Sequence, residues 1–86
     1  MIALMEPQAE TFADLIRSVR ARRAHTLEAV AQRVGVTLQL VALWENGKRT
    51  PSAKRIPALS RYLGVSAQTL RLMRAATIIE RETKRG

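Results

Sequence analysis

The sequence predicts an all-α domain of five short helices. Apolar residues make up 47% of the chain while aromatics make up 3%, so the core must be built from Leu, Val, Ile and Ala, the side chains that fill helix interfaces. From Thr11 onward the apolar positions recur at spacings of three and four, the period of a helix with one buried face. Threonines and serines stand ahead of these runs and glycines behind them, where helix starts and stops need such residues.

Residues 1–10 precede the first periodic run and combine an apolar start with Glu6, Pro7 and Glu10, which reads as a flexible arm ahead of one domain at 11–80. Phe12, Leu15, Ile16 and Val19 form the inner stripe of a first helix at about 11–23, with Arg17, Arg20, Arg22 and Arg23 between or after them. Thr26 caps a second helix, Glu28 complements its positive first turn, and Val30, Ala31 and Val34 are its buried stripe. Gly35 ends that helix, because glycine reaches a left-handed backbone without a steric penalty. Thr37 caps a third helix, which runs to about Glu45 and stops at Asn46-Gly47.

Lys48, Arg49, Thr50 and Pro51 then form a basic loop. Ser52 is placed to cap a fourth helix over about 52–63, with Pro57 inside it, where a missing donor should shorten or kink the helix. Gly64 closes it and Ser66 caps a fifth. That last helix carries Leu70, Leu72, Met73, Ala76, Ile78 and Ile79, more apolar surface than one stripe needs, so Leu72, Ile78 and Ile79 are expected in a homodimer interface. Residues 81–86 read as a charged, frayed tail.

The composition narrows the function. The absence of cysteine removes disulfides, zinc knuckles and a thiol nucleophile together. The single histidine, His25, has no second ligand at useful spacing and reads as a solvated residue in the turn after the first helix. One histidine and seven scattered carboxylates do not assemble a nucleophile, base and orienting group, so no enzyme, cofactor, metal or small-molecule substrate is expected. No apolar run approaches the ~20 residues that span a bilayer, and Met1 to Met5 is too short and uncharged for a signal peptide; the expectation is a cytoplasmic protein with no membrane partner. A net charge of +8 and a pI near 11.5 point to a polyanionic partner, and for a compact domain nucleic acid is commoner than a membrane surface.

The segment Leu27 to Asn46, LEAVAQRVGVTLQLVALWEN, has the spacing that two crossed helices and a tight turn require. Ala31 is small where the helices meet, and Val30, Val34, Val36, Val41 and Trp44 supply inward apolar groups, with Trp44 a core anchor. Together with WENGKRTPS, Trp44 to Ser52, and TLEAVAQRVGVT, Thr26 to Thr37, these residues resemble the phage Cro and repressor-like (XRE-type) helix-turn-helix family over about residues 12–70. The resemblance implies a five-helix repressor-like domain that binds double-stranded DNA as a transcriptional regulator, with the third helix in the major groove and a homodimer on a palindromic operator. It implies base contacts from Leu38, Gln39, Ala42 and Leu43, of which only Gln39 is polar and able to pair bidentately with adenine.

Phosphate contacts are implied for Thr26, Thr37, Lys48 and Arg49, with Arg22 and Arg23 beside them; Leu27 stands where relatives often carry glutamine, which shifts the load to the others. The family pattern also pairs an arginine near the end of the first helix with the glutamate closing the third, here Arg20 and Glu45. The alternative is an interaction module that docks a protein through the apolar Leu38, Leu40, Leu43 surface.

Overall fold

The computed structural model describes residues 11–85, with side chains through Ile79; the arm expected at 1–10 lies outside the described residues. Among the described residues five α-helices and no strands are found: α1 (Phe12–Arg22), α2 (Leu27–Val34), α3 (Leu38–Glu45), α4 (Ile56–Leu63) and α5 (Ala67–Arg85), with a short 3₁₀ turn (Ala53–Arg55) leading into α4.

Local chemistry sets most of these boundaries. The hydroxyls of Thr11, Thr26 and Thr37 accept the amides of Asp14, Ala29 and Leu40 at 3.1, 3.0 and 3.1 Å, which satisfies one of the unpaired donors that every helix start leaves. Ser66 does the same for Thr69 at 3.1 Å. After Val34 the chain reverses at Gly35 in the left-handed region, φ 84°, and the amides of Gly35 and Val36 both return to the Ala31 carbonyl. That reversal swings α3 across α2.

One expectation for the fourth helix is corrected. Ser52 makes no side-chain cap; its carbonyl instead accepts the Arg55 amide at 3.0 Å, so the chain enters through the 3₁₀ turn and the helix proper starts at Ile56. Pro57 therefore falls in the first turn of α4, where its missing N–H would have had no helical partner, and the helix is shorter than the 52–63 run by its first four residues. At the other end of the chain α5 continues as helical backbone to Arg85, through the segment that composition marks as a tail.

The core forms where the five inner stripes meet. Ile16, Val19, Val30, Val41, Trp44, Ile56, Leu59 and Leu70 are all but inaccessible to solvent, and Leu15, Leu27, Val36, Leu40 and Met73 pack around them. Trp44 supplies the largest of these side chains and joins α3 to the common interior. Burial of this kind stabilises by roughly 1.5 to 3 kcal/mol per large aliphatic or aromatic side chain, which holds a chain without disulfides.

The exit from α1 has a chain reversal without a glycine. The His25 amide reaches back to the Arg20 carbonyl at 3.0 Å and the Ala24 amide to that of Ala21 at 3.1 Å, the bond pair that usually accompanies a left-handed glycine. Here the left-handed position, φ 55°, is held by Ala24, whose Cβ is crowded by its own backbone. Ala24→Gly should therefore raise the unfolding free energy by about 1 kcal/mol, the relief of strain outweighing the larger unfolded-state entropy of glycine. Urea unfolding measures this as a higher midpoint at constant slope, and an unchanged or lower midpoint would show that the turn is relaxed with alanine.

Candidate nucleic-acid interface

The outer face of α3 is the natural starting point, because the rest of the fold fixes where it stands. Val41, Trp44 and Glu45 point inward and are buried, which leaves Leu38 and Gln39 exposed and Ala42 and Leu43 half-buried on the outer side. Leu38 is 40% exposed, well above the usual value for a leucine that serves only a core.

Two arginines one helical turn apart on α1 grip the end of α3. Arg20 lays its guanidinium on the Glu45 carboxylate, Nε to Oε2 at 2.7 Å and Nη2 to Oε1 at 3.0 Å, and also donates to the His25 carbonyl at 3.2 Å. Arg17 donates to the Glu45 backbone carbonyl at 2.9 Å and pairs with Asp14 at 2.8 Å. The Glu45 side chain is only 7% exposed, and hydrogen bonding to its carboxylate raises the Arg20 pKa above its ordinary value.

The loop after α3 is fastened just as closely. With Gly47 left-handed at φ 73°, its amide returns to the Trp44 carbonyl at 3.1 Å, while the amides of Lys48 and Arg49 both reach the Leu43 carbonyl at 3.0 and 3.3 Å. Pro51 is buried, and its carbonyl accepts Arg74 Nε from α5 at 3.0 Å. The exposed side chains of Lys48 and Arg49 are thus carried on backbone that is tied to the last turn of α3.

Sequence reasoning passed over two cations that the fold adds to this group. Lys54 and Arg55 line one concavity of about 300 Å³ together with Arg49, Thr50, Ser52, Leu40 and Trp44. The signal was present as a dibasic pair just before Pro57. The 3₁₀ entry turns them to the same side as Arg49. Thr26 and Thr37 are exposed at the starts of α2 and α3; each uses its oxygen as an acceptor for the helix and keeps its hydroxyl hydrogen to donate outward.

Other expected site residues stand apart. Arg22 is exposed at the end of α1, whereas Arg23 is turned onto α4, where it donates to the Tyr62 carbonyl and lies 5.0 Å from the centre of the Tyr62 ring. His25 is not simply solvated: it is half-buried, and its Nδ1 lies 2.9 Å from the Tyr62 hydroxyl, because the reversal at Ala24 brings the turn against α4. On α5, Leu72, Ile78 and Ile79 are 65%, 37% and 65% exposed, and Ala75 and Ala76 between them are exposed as well.

Residues 16–70, more than half of the chain, match a family model described as helix-turn-helix. No curated protein matches the sequence significantly. Among solved structures, the clp gene regulator ClgR from C. glutamicum is similar in fold, with a TM-score of 0.58 and 23% identity over 84% of this chain and 95% of that one. Among the described residues no helix is long and apolar enough to cross a membrane, and no group of metal-ligating side chains is found.

Removing one partner of the clamp on α3 should expose its strength. Glu45→Ala leaves the Arg20 guanidinium facing a buried gap, and the loss of stability should be about 3 kcal/mol, toward the low end for a broken buried pair because Arg20 keeps some contact with water. Chemical unfolding of the variant gives this directly; a loss below about 1 kcal/mol would put the pair in the class of exposed surface bridges.

Proposed function

The chain belongs to the helix-turn-helix family, and from that premise we propose that it is a transcriptional regulator that binds double-stranded DNA with α3 in the major groove. One observation carries the reading: an exposed α3 face is bordered by Lys48 and Arg49, whose backbone is locked to the Leu43 carbonyl. Charge held on fixed backbone is what phosphate positioning requires, since contacts to phosphate set register and orientation before any base is read.

In this reading Thr26, Thr37, Lys48 and Arg49 contact phosphate, Lys54 and Arg55 extend the same track from the 3₁₀ turn, and Arg22 adds a peripheral charge. Leu38, Gln39, Ala42 and Leu43 face the base edges. Gln39 supplies the paired hydrogen bonds that select adenine, and the three apolar side chains favour thymine methyls. Such a face prefers A·T-rich half-sites.

The regulator acts as a homodimer on a palindromic operator, its two α3 helices about 34 Å apart on one face of the duplex. Support comes from α5, where Leu72, Ala75, Ala76 and Ile79 follow the i, i+3, i+4, i+7 pattern and form an apolar stripe on the outside of the monomer. The alanines allow a second copy of the helix to approach closely, and a two-fold axis would bury Leu72, Ile78 and Ile79 of both protomers at once.

Two measurements test these roles separately. Lys48→Ala and Arg49→Ala should each weaken binding to operator and scrambled duplex alike and reduce the slope of log K against log salt by about one, while Gln39→Ala should lose about 1 to 3 kcal/mol of preference at one base pair with the slope unchanged. Wild-type protein that shows no salt dependence and no promoter preference, yet captures a protein partner lost in Leu43→Arg, would overturn the DNA reading in favour of an adapter. For the dimer, sedimentation of Ile78→Glu at micromolar concentration should give monomer where the wild type gives dimer. A persistent dimer would move the interface off α5.

A further inference from the structure

Outside the α3 surface the structure holds a second concentration of positive charge. Arg23 at the end of α1, Arg33 on α2 and Arg61 on α4 converge, with Ala58 and Tyr62, on a concavity of about 300 Å³ to which α3 and the basic loop contribute nothing. The two concavities share no residue.

Among the described side chains no carboxylate is paired with these arginines. Of the three acidic residues whose side chains are described, Asp14 is paired with Arg17 and Glu45 with Arg20, and no ion pair joins the third, Glu28, to the cluster. Among the described residues neither Arg33 nor Arg61 has a hydrogen-bond or ion-pair partner. Arg23 is held in place by the Tyr62 carbonyl and ring, and that ring is itself held by His25 at its hydroxyl, so one guanidinium is oriented in advance and keeps further N–H groups to donate. Three like charges gathered at one depression repel one another, and beside them desolvation first, then the charges of Arg33 and Arg23, lower the pKa of His25.

We propose that this concavity is a binding site for a small phosphorylated compound, separate from the surface that contacts DNA. A monocarboxylate would neutralise one guanidinium, whereas a phosphoryl group brings close to two negative charges and three strong acceptor oxygens, which match three guanidinium forks. The volume is at the lower end of that found for small-molecule sites, which suits a compact anion.

The test is an NMR titration of the whole chain with inorganic pyrophosphate, following the arginine Nε–H signals, alongside DNA binding by the same samples. The expected result is saturable movement of the Arg23, Arg33 and Arg61 signals with those of Arg49 and Arg55 little changed. In the Arg33→Ala/Arg61→Ala double variant pyrophosphate affinity should fall about tenfold or more, while affinity for duplex DNA changes less than twofold. Both side chains are exposed, so the variant should keep the wild-type unfolding midpoint, and Arg33→Gln provides a milder second variant. Unsaturable movement spread over all arginines, or an unchanged pyrophosphate affinity in the variant, would overturn the site. Equal losses of pyrophosphate and DNA affinity with a shallower salt slope would assign the cluster to the DNA footprint instead.

Discussion

The grip of α1 on the last residue of α3 is the contact on which the functional surface depends. A helix of eight residues has little stability of its own, and α3 presents a continuous apolar character that would suit several rotations about its axis. The pairing of Arg20 with both oxygens of Glu45, at 2.7 and 3.0 Å, is directional, and Arg17 on the Glu45 carbonyl fixes the same residue through its backbone. Once Glu45 is set, Gln39 and Leu43 are set with it, because they are on the same rigid turns. The specificity of the fold and the aim of its outer face therefore rest on one partly buried charge pair. Removing one partner of such a pair costs more than the intact pair contributes, because a charge is left without its counterpart.

From that fixed end the basic loop inherits its geometry. The Leu43 carbonyl receives two loop amides, and Arg74 holds the Pro51 carbonyl from the opposite side, so the loop is anchored to α3 and to α5 at once. This makes α5 a participant in the α3 surface even though none of its residues lies there. A two-fold contact through α5 would then transmit to the loop by way of Arg74 and Pro51, a short path of one hydrogen bond and one buried ring.

Much of the fold was legible in the chain because its boundaries are local. The threonine caps and the left-handed glycines at 35, 47 and 64 act over three or four residues, and a sequence displays that range directly. Ser52 misled for the same reason: read locally it caps a helix, while the observed helix starts only after the 3₁₀ turn that follows buried Pro51. Arg20 with Glu45 was accessible only through family resemblance, since nothing within either helix connects positions 25 residues apart. Distance in sequence also hid the place of Arg23 on α4, whose partner Tyr62 lies 39 positions away. Ala24 gave no sign at all, because alanine is the residue least expected where the backbone turns left-handed.

The net charge of +8 also takes on a different meaning once its carriers are located. Arg17, Arg20, Arg23 and Arg74 all donate to acceptors inside the domain, three of them to main-chain carbonyls of residues more than twenty positions away, and act as long-range ties between helices. Guanidinium suits that role, since it keeps its charge at any physiological pH and can serve a carbonyl with one nitrogen while water solvates another. Among the described side chains, those that face outward in groups are Lys48, Arg49, Lys54 and Arg55 on one side and Arg33 and Arg61, beside the tethered Arg23, on the other. Counterion release depends on the cations that reach phosphate and not on the formal total. The excess of arginine over lysine in this chain therefore records two demands, internal fastening and anion binding, that a count of charges adds together.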